Sequence, residues 1–255
     1  MDDLIKVVRV LSDWANLPAP DFREWSQLVE RARIPKPSQQ TPQERSPDRD
    51  WPMMPAMVSI RGPLASAFEA EDVEIDAICV TGHALALGIA GPVQDIHAGR
   101  LRPRQIKLRI LTANIDVSLP LPTHRQEEDA ERVRQLRLRD RNIYVNTLHG
   151  ALASLRDTHG IEVRMEFRGI PFTPLTELIL LNGVEALFSY CKISARSVTD
   201  AKGDSVEVYD TVTSQGMMKR FNAASGYYAD REFVTESYRW FNSIWETIST
   251  EGFSS

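Results

Sequence analysis

Six prolines, Pro35, Pro37, Pro42, Pro47, Pro52 and Pro55, fall within residues 35–55 among glutamine, serine, arginine and aspartate. Each fixes φ and removes a backbone donor, so a run this dense can form neither a helix nor a central strand. Residues 35–57 therefore read as an extended linker. They divide the chain into a short piece, residues 1–34, and a long one, residues 58–255, which must build its own core.

The short piece carries apolar residues at helical spacing twice. Leu4, Val7, Val8, Leu11 and Trp14 mark one helix over residues 4–16. Phe22, Trp25, Leu28, Val29 and Ala32 mark a second over 22–33, with Asp21 as its N-cap and Pro18 and Pro20 between the two. Such a helical arm is too small to bury its own apolar stripe. It is expected to pack on the main domain, on a protein partner through a helix-in-groove contact, or on a second copy of the chain.

The long piece alternates in period. Val73–Val80 reads as a strand, residues 84–99 as a helix interrupted by Gly88, Gly91 and Pro92, and Ile106–Leu111 as a strand of period two. Residues 126–157 form the longest helical region, with a possible break near Arg141-Asn142 and Gly160 as its stop. Ile161–Phe167 alternates again. Glu177–Leu181 and Val184–Tyr190 flank Asn182-Gly183, a pair suited to a type I′ hairpin turn because both of its central positions need positive φ. Val206–Val212 reads as an edge strand. Residues 230–249, with Phe233, Tyr238, Phe241 and Trp245, read as a closing helix. Strands alternating with helices predict an α/β fold, a mixed sheet flanked by helices.

Composition narrows the chemistry. The net charge of −5 gives no global basic field for nucleic acid or acidic membranes. The arginines at 132, 134, 137, 139 and 141 are interleaved with acids, as on a solvated helix face. No stretch approaches the ~20 apolar residues of a membrane span, and no basic and apolar leader opens the sequence. Cys79 and Cys191 read as buried free thiols, which with the missing leader points to the cytoplasm. No two of the five histidines stand three to five residues apart, and only His83 stands so from a cysteine, Cys79; one such pair does not make a zinc pattern, and no metal or other cofactor is expected. Dinucleotide, P-loop, zincin and nucleophile-elbow motifs are missing from the sequence. The polar residues at the predicted strand ends are His83, Asn114 and Arg168. Ligands collect at the carboxyl ends of strands in such sheets, so these three are candidate ligand-binding residues at one crevice.

The order of elements over about residues 73–250 resembles the phospholipase D-like fold. More narrowly, it resembles the catalytically silent single lobe found in actinobacterial transcriptional regulators. The resemblance rests on Ile161-Glu-Val-Arg-Met-Glu-Phe167, the hairpin after it, and the closing Tyr238-Arg-Trp-Phe-Asn-Ser-Ile-Trp-Glu246. Active members carry H-x-K-x-x-x-x-D on that hairpin, the histidine as nucleophile and the lysine on the phosphate. Here those positions read Leu175, Glu177 and Asn182. Leucine has no lone pair to attack with, and glutamate repels the phosphate that lysine would hold. The resemblance thus implies no catalytic residue, and it adds Glu177 to the candidate ligand-binding residues. It also implies an N-terminal DNA-binding module, but the first 34 residues offer two helices where a helix-turn-helix fold needs three.

The function expected is therefore that of a non-enzymatic regulatory or sensor protein, a homodimer binding a small ligand or a protein partner. Two alternatives remain open at this point. One is a nucleotide or nucleoside hydrolase using a carboxylate, Glu177, at the same crevice. The other is a DNA-binding transcriptional regulator, against which the acidic balance argues.

Overall fold

The computed structural model describes residues 56–254 except 115, 118, 120, 122, 125–129, 200–202 and 213–216. The chain divides into two units, residues 1–51 and 52–255. The expected helical arm and the proline-rich stretch to residue 55 lie outside the described residues.

Eleven strands and four helices follow one another among the described residues. In chain order they are β1 (Ala56–Ser59), α1 (Arg61–Ala67), β2 (Asp72–Ile78), α2 (His83–His97), β3 (Gln105–Ala113), β4 (Thr123–His124) and α3 (Ala130–His159). Then come β5 (Glu162–Ile170), β6 (Thr176–Leu181), β7 (Glu185–Tyr190), β8 (Lys192–Thr199), β9 (Ser205–Val212), β10 (Met217–Asn222), α4 (Tyr228–Thr247) and β11 (Thr250–Ser254). Eight strands make one mixed sheet in the order β1-β10-β7-β6-β2-β3-β5-β11, and a second sheet has the order β4-β9-β8. The α/β class with a mixed sheet flanked by helices is as the alternating periods predict.

The parallel core is β2-β3-β5, joined through α2 and α3. Both crossovers step in the same direction along the sheet, so crossovers of the same hand place both helices on one face. That face carries Val73, Ile75, Ile106, Leu108, Ile110, Met165, Ile179 and Leu187 against Leu64 of α1, Leu85 and Ile89 of α2, and Leu148, Leu152 and Leu155 of α3. The opposite face carries Ile78, Leu111, Ile170, Leu178 and Leu180 against Val234, Phe241, Ile244 and Trp245 of α4. Period-two alternation supplies the two faces, and burial of both makes one continuous core.

Asn182 (φ 50°) and Gly183 (φ 74°) form the β6–β7 turn with positive φ at both positions, as the sequence predicts. Gly88 is needed for a different reason. A Cβ there would run into Cδ1 of Leu64, so the close α1–α2 contact favours a residue without one.

Several expectations are corrected. Ala56 and Met57, assigned to the linker, begin β1 by pairing with Arg220 and Lys219. The long helix is continuous through Arg141-Asn142. At 30 residues it is about 45 Å long. Its second half packs in the main core, while Val133 in its first half packs against Val206 and Val208. The strand expected at Val206–Val212 is the middle of the second sheet and not an edge of the first. After the closing helix the chain adds β11, which pairs antiparallel with β5. Among the described residues no helix is long and apolar enough to cross a membrane.

Candidate functional site

The carboxyl ends of β2, β3 and β5, the start of β6 and the start of α2 share one edge of the large sheet. Two of the four candidate residues, His83 and Glu177, lie on its α2–α3 face. Gly82 turns the chain into α2 with φ 78°, a conformation that a side chain at this position would strain. His83 opens the helix, its backbone N–H 3.4 Å from the Thr81 hydroxyl and its ring stacked on Tyr144 at 4.8 Å between centroids. A Cβ on Gly82 would lie 3.8 Å from Cys79 Sγ and 3.9 Å from Tyr144 Cβ, which places both residues at the helix entrance.

Glu177 points to the same face, because it shares the parity of Ile179 and Leu181 on β6. It pairs in register with Ser189 of β7 on one side. On the other, the β2–β6 register brings Cys79 beside it. The Glu177 side chain is buried, and among the described residues nothing hydrogen-bonds or ion-pairs with its carboxyl group. Burial pushes its pKa up to about 7, so near neutral pH it can hold a proton or release one. Cys79 is raised by burial and then by the Glu177 charge, and Cys191 for the same reasons is pushed up to about 12. Both are thiols at neutral pH and poor nucleophiles.

The other two candidates go elsewhere. Arg168 lies on the opposite face of the sheet, where its Nη1 donates to the Trp245 carbonyl at 3.0 Å and its guanidinium sits 4.2 Å from the centre of the Trp245 ring. Asn114 lies over Gly169, its Nδ2 donating to Thr250 Oγ1 at 3.2 Å and its Oδ1 accepting from the Asp116 N–H at 2.9 Å. β5 stands three strands from β6 in the sheet, a lateral separation of about 14 Å. The crevice expected to gather His83, Asn114 and Arg168 does not form, because Arg168 is held to Trp245 of α4 on the opposite face and Asn114, after β3, is held to Thr250 of β11.

The α4 face has an opening that the strand-end argument missed. A cavity of about 500 Å³ is lined by Ile78, Leu121, Phe172, Thr173, Pro174, Leu175, Thr176, Phe188 and Trp240. Leu175 and Trp240 keep 51% and 42% of their surface exposed, so its rim is apolar and open to solvent. The Thr173 hydroxyl donates to the Leu121 carbonyl at 2.7 Å, which leaves Thr176 as the free polar group in the wall. A sequence signal existed, since Phe172-Thr-Pro-Leu175 is an apolar run outside any strand period. Nothing in it says that Trp240, 65 residues from Leu175, closes the far wall.

No protein-family model matches the chain, and no curated protein is similar to it. Fold and site together define an α/β protein with an apolar cavity where β6 begins and, behind it on the other face of the sheet, a buried carboxyl group.

Proposed function

We propose that this is a non-enzymatic sensor or regulatory protein whose phospholipase D-like domain takes a small, largely apolar ligand into the cavity between β6 and α4. The observation that carries the reading is the wall itself. Its volume of about 500 Å³ falls among small-molecule sites, and none of the nine lining side chains is ionisable. A wall of leucine, isoleucine, phenylalanine and tryptophan removes apolar surface from water but offers no general acid, base or activated nucleophile. In the resemblance to the phospholipase D-like fold, the position of the nucleophilic histidine is taken by Leu175, which here forms part of the rim. The Thr176 hydroxyl gives the ligand one polar anchor. The protein acts as a cytoplasmic homodimer in this reading, which sedimentation of the full chain with and without ligand checks.

The test is titration of purified protein with a panel of hydrophobic small molecules, followed by Trp240 fluorescence and thermal shift. Saturable binding that disappears in Leu175→Arg supports the proposal. No saturable binding, or binding untouched by that substitution, sinks it.

A hydrolase reading has one observation in its favour, the Glu177 carboxyl group with its pKa near 7. Incubation with nucleotides and nucleosides, with product analysis, separates the two. Turnover lost in Glu177→Gln would favour the hydrolase, and binding without product the sensor.

A further inference from the structure

The last turns of α2 and α3 meet at a pair of histidines remote in sequence. His97 Nδ1 and His159 Nε2 are 3.0 Å apart across 62 residues of chain. The ring centroids are 5.0 Å apart and the planes are inclined at 52°. Both rings are exposed, so nothing bars a solute from reaching them. We propose that His97 and His159 form a binding site for a divalent transition metal of the copper(II) or nickel(II) type.

Three features of the pair carry this. The first is the tautomer. Ser154 donates its hydroxyl proton to the Ala151 carbonyl at 2.7 Å, and its oxygen lies 3.3 Å from His97 Nε2. With its proton committed, that oxygen accepts the Nε2–H of His97. The His97 lone pair is therefore on Nδ1, the atom that faces His159. A ligand histidine commonly has its outer N–H held in this way, which fixes the ring and raises its basicity.

The second is the bite. Metal–imidazole bonds are about 2.0–2.1 Å long, so two nitrogens 3.0 Å apart subtend an angle close to ~90° at a metal bound to both. A tetrahedral ion needs a wider gap, about 3.3 Å from the same bond length. The spacing suits the cis positions of a square-planar or tetragonal centre, the geometry of copper(II) and nickel(II). In the free protein the His159 Nε2–H bridges the gap as a hydrogen bond to His97 Nδ1. A metal takes that place once His159 shifts its proton to Nδ1.

The third is the field. His97 is in the last turn of α2, and His159 is the last residue of α3. Two helix C-termini direct their partial negative charge at the same point, which favours a cation there. Among the described residues no third histidine, cysteine, aspartate or glutamate joins the pair. The remaining positions would be filled by water or by a ligand from outside the domain.

The test uses the full chain with copper(II), in a glycine buffer that masks weak surface sites. Calorimetry should show one equivalent bound, and electron paramagnetic resonance should show hyperfine splitting from two nitrogens. His97→Gln and His159→Gln should each weaken binding by at least ~10-fold, and Ser154→Ala by about the same factor, because it frees the ring that the hydroxyl holds. His149→Gln, half-buried on α3 outside the pair, should leave binding unchanged. All four positions are away from the main core, and circular dichroism confirms that each variant is folded. An absent equivalent, a one-nitrogen spectrum, or full affinity in both His97→Gln and His159→Gln overturns the proposal.

Discussion

Asp76 and Arg109 stand side by side on parallel neighbouring strands, Oδ1 2.6 Å from Nε and Oδ2 2.6 Å from Nη2, beneath α4. Arg109 also donates to Asn242 Oδ1 at 3.1 Å, and its guanidinium lies 4.9 Å from the Phe241 ring centre and 5.3 Å from that of Trp245. One bidentate pair thus ties two central strands to the closing helix. Removing a single partner leaves a mostly buried charge without its counterion. Arg109→Met should cost about 3–5 kcal/mol in urea unfolding, whereas the double replacement Asp76→Leu with Arg109→Met should recover most of that loss. A single replacement within ~1 kcal/mol of the wild type would refute the assignment.

Glu177 gives the protein a pH dependence of known sign. Its carboxyl is raised from 4.5 to about 7 in the folded state, so the native protein holds this proton more tightly than the unfolded chain does. The stabilising contribution is complete below about 4.5 and is lost as pH rises through 7. At one pKa unit per 1.36 kcal/mol the full swing is at most about 3 kcal/mol. Glu177→Gln removes it. Between pH 5 and pH 8 the wild-type melting temperature should fall relative to that of the variant, and parallel curves would show that burial does not raise this group.

Asn182 is a structural pin at the turn between β6 and β7. Its Oδ1 accepts from the Glu74 N–H at 2.8 Å, its Nδ2 donates to the Ala67 carbonyl at 2.9 Å, and its own φ is 50°. Alanine loses both bonds and strains in the left-handed region, a cost of roughly 2–4 kcal/mol. Glycine loses the bonds alone and should be at least ~1 kcal/mol milder. Denaturant midpoints of the two variants decide this, and equal losses would remove the backbone argument.

The cavity predicts a separation of binding from stability. Leu175 is half-exposed at the rim, so Leu175→Trp should fill space without disturbing the core, changing stability by less than about 1 kcal/mol. Ligand affinity should fall by 10-fold or more. Thr176→Val keeps the shape and removes the hydroxyl, so it should weaken only ligands carrying a hydrogen-bonding group. A panel of apolar and polar analogues measured against both variants tests the two effects separately.

Much of the fold is written in local periods. The alternation in Val-Glu-Ile-Asp-Ala-Ile and Ile-Lys-Leu-Arg-Ile-Leu marks β2 and β3, and the helices between the strands force a parallel core. Asn182-Gly183 marks its turn, and the aromatic stripe of residues 230–249 marks α4. β8 and β10 carry weaker patterns, Lys-Ile-Ser-Ala-Arg-Ser-Val-Thr and Met-Met-Lys-Arg-Phe-Asn. They are strands because β9 and β7 offer them open edges, and pairing of that kind depends on neighbours and not on intrinsic preference.

The candidate site divides along the same line. The sequence alone placed Glu177 on the hairpin and His83 after the first parallel strand, since both follow from element order. Only the tertiary structure decided that Arg168 would be held by Trp245 and Asn114 by Thr250, that Trp240 would close a cavity over Leu175, and that His97 would meet His159. Local spacing determines which face of its element a side chain occupies. What lies opposite is fixed when elements far apart in the chain pack together, and a polar side chain takes whichever partner that packing brings within hydrogen-bonding distance.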